Sequence, residues 1–124
     1  MQESPDDSDL LVILRHGPHG SSWLREGLDA ALVAAAFGRC VSLLFMGEGV
    51  TALMPEQQVG PLGQKGTAAT LEMLEMYDIE TLLVDEQGLS DLGLSRDDLM
   101  LEVECVSSEV LASFLSEHRL VLTF

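Results

Sequence analysis

Two cysteines, three histidines and an aspartate that closes an apolar run are the residues of this chain whose chemistry most needs explaining. Cys40 and Cys105 show no CxxC spacing and have no second pair, so they do not spell a zinc site. Cys40 opens an apolar run and reads as a small buried hydrophobe. Cys105 stands near a strand end, where a thiol nucleophile could work. Glu102, Glu104 and Glu109 flank it, and negative neighbours disfavour a thiolate. His16 and His19 have no carboxylate or thiol at ligand spacing; His19 reads as a loop residue of a contact surface. His118 falls at a helix C-terminus, where a partly charged imidazole is favourable without further function. Gly17-Pro18-His19-Gly20-Ser21-Ser22 leads into a helix, whose free backbone N–H groups suit an anion. The loop is neither a Walker A sequence nor GxGxxG, and it reads equally as a tight turn stiffened by Pro18.

The elements that must position these groups follow from the apolar pattern. Leu10-Leu11-Val12-Ile13-Leu14 is continuously apolar, the mark of a parallel strand covered on both faces. Ser21 or Ser22 can cap a helix over Trp23–Phe37, whose Leu24, Leu28, Ala31 and Ala35 recur as one stripe and which Gly38 ends. Further strands are expected at Cys40–Met46, Thr81–Val84, Leu99–Val103 and Leu120–Leu122. Gly47-Glu48-Gly49 turns into a short helix ended by Pro55, and 55–66 reads as a surface loop. A helix is expected from Thr67 to Tyr77 with Ala68, Leu71 and Leu74 on one side, and a short one over Gln87–Leu94. Ser107 or Ser108 caps a last helix with Val110, Leu111, Phe114 and Leu115 inward. Five alternations of strand and helix predict an α/β fold: a single three-layer α/β/α domain with a five-stranded, mostly parallel sheet. Residues 1–8 read as an acidic tail without regular structure, and 9–124 as the domain.

Composition narrows the function. At 124 residues the chain suits one domain, and 47% hydrophobic residues supply one core. No apolar run approaches the ~18–20 residues of a membrane span, and the acidic N-terminus is not a signal peptide. Together with two isolated cysteines this predicts a cytoplasmic protein. Six Lys and Arg against 21 Asp and Glu give a net charge of −15, which excludes direct nucleic-acid binding and disfavours anionic membranes. Ligands of such folds bind at the carboxyl ends of the strands, here around 15–22, 47–51, 85–88 and 104–107. Asp85 invites comparison with receiver domains, but those need acidic residues after the first strand, where Arg15-His16 stand. A flavodoxin would need aromatic walls that Gly47-Glu48-Gly49 does not offer. No cofactor and no metal is expected.

Four pieces taken together carry a resemblance. Pro18-His19-Gly20, Arg25-Glu26-Gly27-Leu28-Asp29-Ala30, Gly47-Glu48-Gly49-Val50 with Leu53, and Tyr77-Asp78-Ile79-Glu80 resemble the TusC/DsrF group of the DsrE/DsrF-like family, from about Leu10 to the closing Leu120-Val121-Leu122-Thr123-Phe124. The resemblance implies a TusC-like subunit of a heterohexamer with TusB-like and TusD-like sisters. Such a complex receives persulfide sulfur from a TusA-like protein and hands it to a TusE-like one, towards 2-thiolation of tRNA wobble uridine. The DsrF branch serves sulfur oxidation instead. The family's active cysteine lies just after the third strand of the TusD-like sister, and that place aligns here with Asp85, within Val84-Asp85-Glu86-Gln87-Gly88. A carboxylate cannot carry persulfide, so the expected role is structural, with no catalytic residue. The alternatives are a sulfur carrier using Cys105 and an anion-binding module using the Gly17–Ser22 loop. Assembly needs a surface, and its candidates are Pro18, His19 and Trp23, then Met54 with the 55–66 loop, then Met73, Met76 and Tyr77.

Overall fold

A computed structural model of the chain describes residues 10–17, 22–54, 71–79, 81–99 and 103–124. The 1–8 tail, Pro18, His19, the 55–66 loop and the Thr67–Ala68 start of the expected third helix lie outside the described residues. Five strands form one sheet: β1 Leu10–Leu14, β2 Val41–Phe45, β3 Thr81–Asp85, β4 Glu104–Val106 and β5 Leu120–Thr123. Their order is β4-β3-β2-β1-β5, and all four pairings are parallel. Three α-helices are described, α1 Trp23–Ala36, α2 Glu86–Asp91 and α3 Ser108–Glu117. Short 3-10 segments lie at Gly47–Leu53, Glu75–Tyr77 and Arg96–Asp98. Among the described residues no helix is long and apolar enough to cross a membrane.

Strand order and crossover hand together dictate the layers. β1, β2, β3 and β4 step steadily in one direction, so right-handed crossovers place their connections on one face; the return from β4 to β5 must cross the other. The side chains alternate accordingly. Leu10, Val12, Leu14, Val41, Leu43 and Phe45 pack with Leu24, Leu28 and Ala31 of α1. Leu11, Ile13, Leu44 and Leu83 pack instead with Leu111 of α3. Every residue of β1 and β2 is buried, as their unbroken apolar sequences require. The expected stripe on α1 holds: Leu24, Leu28 and Ala31 are buried and Ala35 packs against them.

The structure corrects the reading in several places, and the described end of the expected third helix is a turn followed by the 3-10 segment Glu75–Tyr77 rather than continuous helix. The fourth strand is Glu104–Val106, not Leu99–Val103. Ser95 and Asp98 form a capping box that winds Arg96–Asp98 into a helical turn, and the register with β3 begins only at Glu104. On α3, Leu111 is buried while Val110 and Leu115 are exposed; the side chain of Phe114 is outside the described set. Leu111 is the α3 residue in the second cluster, and Val110 sits about 100° away around the helix. Finally, Cys40 is exposed. β2 begins one residue later, so Cys40 lies at the rim, beyond both covering layers, with its carbonyl accepting from the Leu10 N–H at 3.1 Å.

The carboxyl end of β1 is tightly built. The Met46 N–H donates to the Leu14 carbonyl at 3.0 Å, and Gly49 passes so close that a methyl group on it would collide with the Leu14 carbonyl oxygen. Gly47 holds φ at +52°, which an L side chain rarely adopts. Backbone packing thus accounts for Gly47-Glu48-Gly49 without a ligand. Gly49→Ala should destabilise the fold by about 3 kcal/mol. Gly38→Ala, with a left-handed φ of +87° but open space around it, should cost about 1 kcal/mol. Chemical denaturation of the two variants checks the order.

Candidate functional site

The strands deliver four stretches to their carboxyl ends, and the structure shows what each does. After β1 the Arg15 N–H donates to the Phe124 carbonyl at 2.8 Å, and the Phe124 N–H to that of Ile13 at 2.8 Å. His16 stacks on Trp23, with ring centroids 5.8 Å apart and planes at 23°. Its Nδ1 is buried without a hydrogen-bond partner among the described residues. After β2 the Gly47–Leu53 segment folds inward, burying Val50, Ala52 and Leu53, and Thr51 Oγ1 donates to the Glu48 carbonyl at 2.6 Å.

Asp85 ends β3 and begins α2. Its Oδ1 accepts from the Gln87 N–H at 3.3 Å, so the carboxylate serves as the helix N-cap. Gln87 Nε2 in turn donates to Asp91 Oδ1 at 2.8 Å, bracing the short helix. The place that the resemblance aligns with an active cysteine is therefore occupied by a capping group with no nucleophilic sulfur.

The two thiols lie elsewhere and are not joined. Cys105 sits within β4 opposite Val84, half-buried and packed against the α1-side core. It falls one residue before the strand's last position, on the opposite face from Val106 in the α3-side cluster. That places it in a packing position rather than in the loop where a strand-end nucleophile would stand. Cys40, at the start of β2, is at the other end of the sheet from Asp85.

The described surface candidates do not form one patch. Trp23 opens α1 at the carboxyl end of the sheet, half-exposed, and Met54, half-buried, follows the segment that leaves β2 at that same end. Met73, Met76 and Tyr77 are exposed just before β3 begins, at the opposite end. Asp78 closes that turn in the left-handed conformation (φ 62°) and lets Ile79 plunge into the core, so Tyr77-Asp78-Ile79 is a structural motif. The sequence reading missed Val33, Phe37 and Leu120, all exposed. On α1 the signal was present: Ala30, Val33, Ala34 and Phe37, at i, i+3, i+4 and i+7, make a second apolar stripe.

The comparisons with known proteins fit this architecture. The DsrE/DsrF-like family model matches residues 8–124. Two proteins named Protein TusC homolog align over 94% of this chain and 99% of their own length: one from Vibrio vulnificus strain CMCP6, 37% identical over 117 residues, and one from Vibrio parahaemolyticus serotype O3:K6, 33% identical. Among solved structures, the ychN protein of E. coli superposes with a TM-score of 0.81 at 23% identity, covering 94% of this chain and 99% of that one. A conserved protein of unknown function from Bacteroides thetaiotaomicron gives 0.66 at 15% identity over 94% and 95% of the two chains. The two superpositions speak for the fold, and the near full-length family match decides kinship: the chain belongs to the DsrE/DsrF-like family.

Proposed function

We propose that this chain is a non-catalytic, TusC-like subunit of a TusBCD-like sulfur-relay complex that passes persulfide sulfur towards 2-thiolation of tRNA wobble uridine. The observation that carries this is Asp85: where the family resemblance places an active cysteine, this chain has a carboxylate engaged in capping α2. Relatives named Protein TusC homolog, 33–37% identical, favour the tRNA branch over the DsrF-like branch of sulfur oxidation. The half-buried, packed position of Cys105 argues against the carrier alternative. On this reading TusB-like and TusD-like sisters are the direct partners in a cytoplasmic heterohexamer. TusA-like and TusE-like proteins meet the complex through the TusD-like subunit. A charge of −15 keeps the chain itself off the tRNA.

The test is reconstitution with the TusB-like and TusD-like sisters and measurement of 2-thiouridine in tRNA. Omitting this chain should abolish thiolation, whereas the double variant Cys40→Ser with Cys105→Ser should thiolate as the parent does. Loss of thiolation in a folded double variant, or persulfide found by mass spectrometry on either thiol, overturns the reading. Asp85 supplies an independent check. Asp85→Ala should cost about 1 kcal/mol of stability and Asp85→Asn a few tenths, because asparagine also caps. Both should support relay in the assembled complex; a folded Asp85→Asn that fails to relay would give the carboxylate a chemical task that this reading denies it.

A further inference from the structure

A strongly acidic segment leads into β1. Glu3, Asp6, Asp7 and Asp9 stand within the nine residues before Leu10, and the family match begins only at residue 8. Most of this segment is thus additional to the family domain, whose fold gives no account of these carboxylates. The sheet register fixes where they join the fold. Leu10 pairs with Val41 on one side and Leu120 on the other, and its N–H donates to the Cys40 carbonyl at 3.1 Å. Both pairings are parallel, so the residues that precede Val41 and Leu120 stand beside the root of the acidic segment. Among them are Arg39 and Arg119, two of only six Lys and Arg in the chain.

A groove of about 510 Å³ opens at the same place. Leu10, Leu120 and Leu122 of the sheet and Ala30, Val33 and Ala34 of α1 line it. Arg39 and Arg119 line it too, with Asp29 as the opposing charge. The other described cations stand elsewhere. Arg15 follows the last residue of β1, ~16 Å from Leu10 along a five-residue strand, and Arg25 lies in the first turn of α1 at that far end. Arg96 precedes β4, three strands across the sheet. With a Debye length of ~8 Å at physiological salt, Arg39 and Arg119 are the described cations that act on the segment at its root. The rest of a chain of charge −15 repels it.

We propose that the acidic segment 3–9 docks on Arg39 and Arg119 and straps this groove. Exposed carboxylate–guanidinium pairs are individually weak, but a tether at the groove itself supplies an effective concentration in the ~mM range. Docked there, the segment shields the two arginines from other acidic chains, and a partner that enters the groove must displace it. The strap lies at the starting end of the sheet, away from Asp85, and does not depend on the sulfur-relay reading.

Paramagnetic broadening of backbone amide signals tests this. A nitroxide is placed on Ser4→Cys in the full chain carrying Cys40→Ser and Cys105→Ser, with circular dichroism confirming each fold. A docked segment should broaden Ala30, Val33 and Ala34 several-fold more than Thr81 and Leu82, which begin β3 at the same end. Raising the salt to 1 M, where the Debye length shrinks to ~3 Å, should abolish that excess. So should Asp6→Asn with Asp7→Asn and Asp9→Asn, and so should Arg39→Gln with Arg119→Gln. Asp29→Asn should increase it by removing the opposing charge. Should the arginine variant fail to fold, the aspartate series decides. Broadening without the excess at physiological salt, an excess that survives the three aspartate substitutions in a folded chain, or an excess seen only between a spin-labelled chain and a separate isotope-labelled one would each overturn the proposal. None of these outcomes involves thiolation, so failure of the strap leaves the relay reading standing.

Discussion

The rest of the structure depends on how closely other backbone can approach the carboxyl end of β1. This strand lies between β2 and β5, with every residue buried. At its exit the Leu14 carbonyl accepts from Met46, the Gly49 backbone presses against the same oxygen, and Arg15 and Ile13 exchange hydrogen bonds with Phe124. Three segments distant in sequence are thereby fixed at one point. A buried carbonyl without a partner would cost about 1–3 kcal/mol, so the arrangement is satisfied only when all three segments are present. The inward turn of Gly47–Leu53, which buries Val50 and Leu53, follows from that meeting.

That crowding bears on chemistry. Doubly wound folds place ligands in the crevice beyond the strand ends. Here the segment after β2 turns Val50, Ala52 and Leu53 inward, and the strand end at β3 carries Asp85 as a helix cap. A carboxylate accepting a backbone N–H has its chemistry committed to holding α2 in place. The same Asp85 caps α2 and, as a carboxylate, cannot carry sulfur, which is why one residue weighs so much in the proposed functional reading.

Much of this was legible in the sequence, and the failures share a cause. β1 and β2 could be read because strands covered on both faces must be continuously apolar. β4 could not: as an edge strand with one exposed side it needs little burial, so Glu104-Cys105-Val106 is a poor apolar run beside Leu99-Met100-Leu101. The Ser95–Asp98 capping box was the missed signal, since it commits Arg96–Asp98, just before that run, to a turn. Cys40 was misplaced for a related reason. An apolar run shows that a strand is near but not where cover begins, and a one-residue offset moves a side chain from core to rim. On α1 the core stripe was clear because leucines mark it, whereas the alanines of the second stripe are equally at home against a sheet or a neighbour. Asp85 was recognisable as a strand end, but its cap depends on a backbone angle that sequence alone does not reveal.

The two ends of the sheet divide their labour in a way that magnitudes clarify. At the starting end stand Phe37 after α1, Met76 and Tyr77 before β3, and Leu120 opening β5. Burying one such side chain fully is worth about 2 kcal/mol. Association costs at least ~4 kcal/mol in lost freedom, so no one of them suffices to hold a partner. Several buried together would exceed that cost, which makes their clustering at one end of the fold more telling than the exposure of any one. At the carboxyl end the exposed aromatic is Trp23, and it is already half-covered by its stacking on His16. A catalytic member of such a fold would concentrate polar and reactive groups at the carboxyl end. Among the described residues the carboxyl end carries the Asp85 cap, the close backbone packing at Gly49 and the half-exposed Trp23, whereas Phe37, Met76, Tyr77 and Leu120 stand exposed at the starting end.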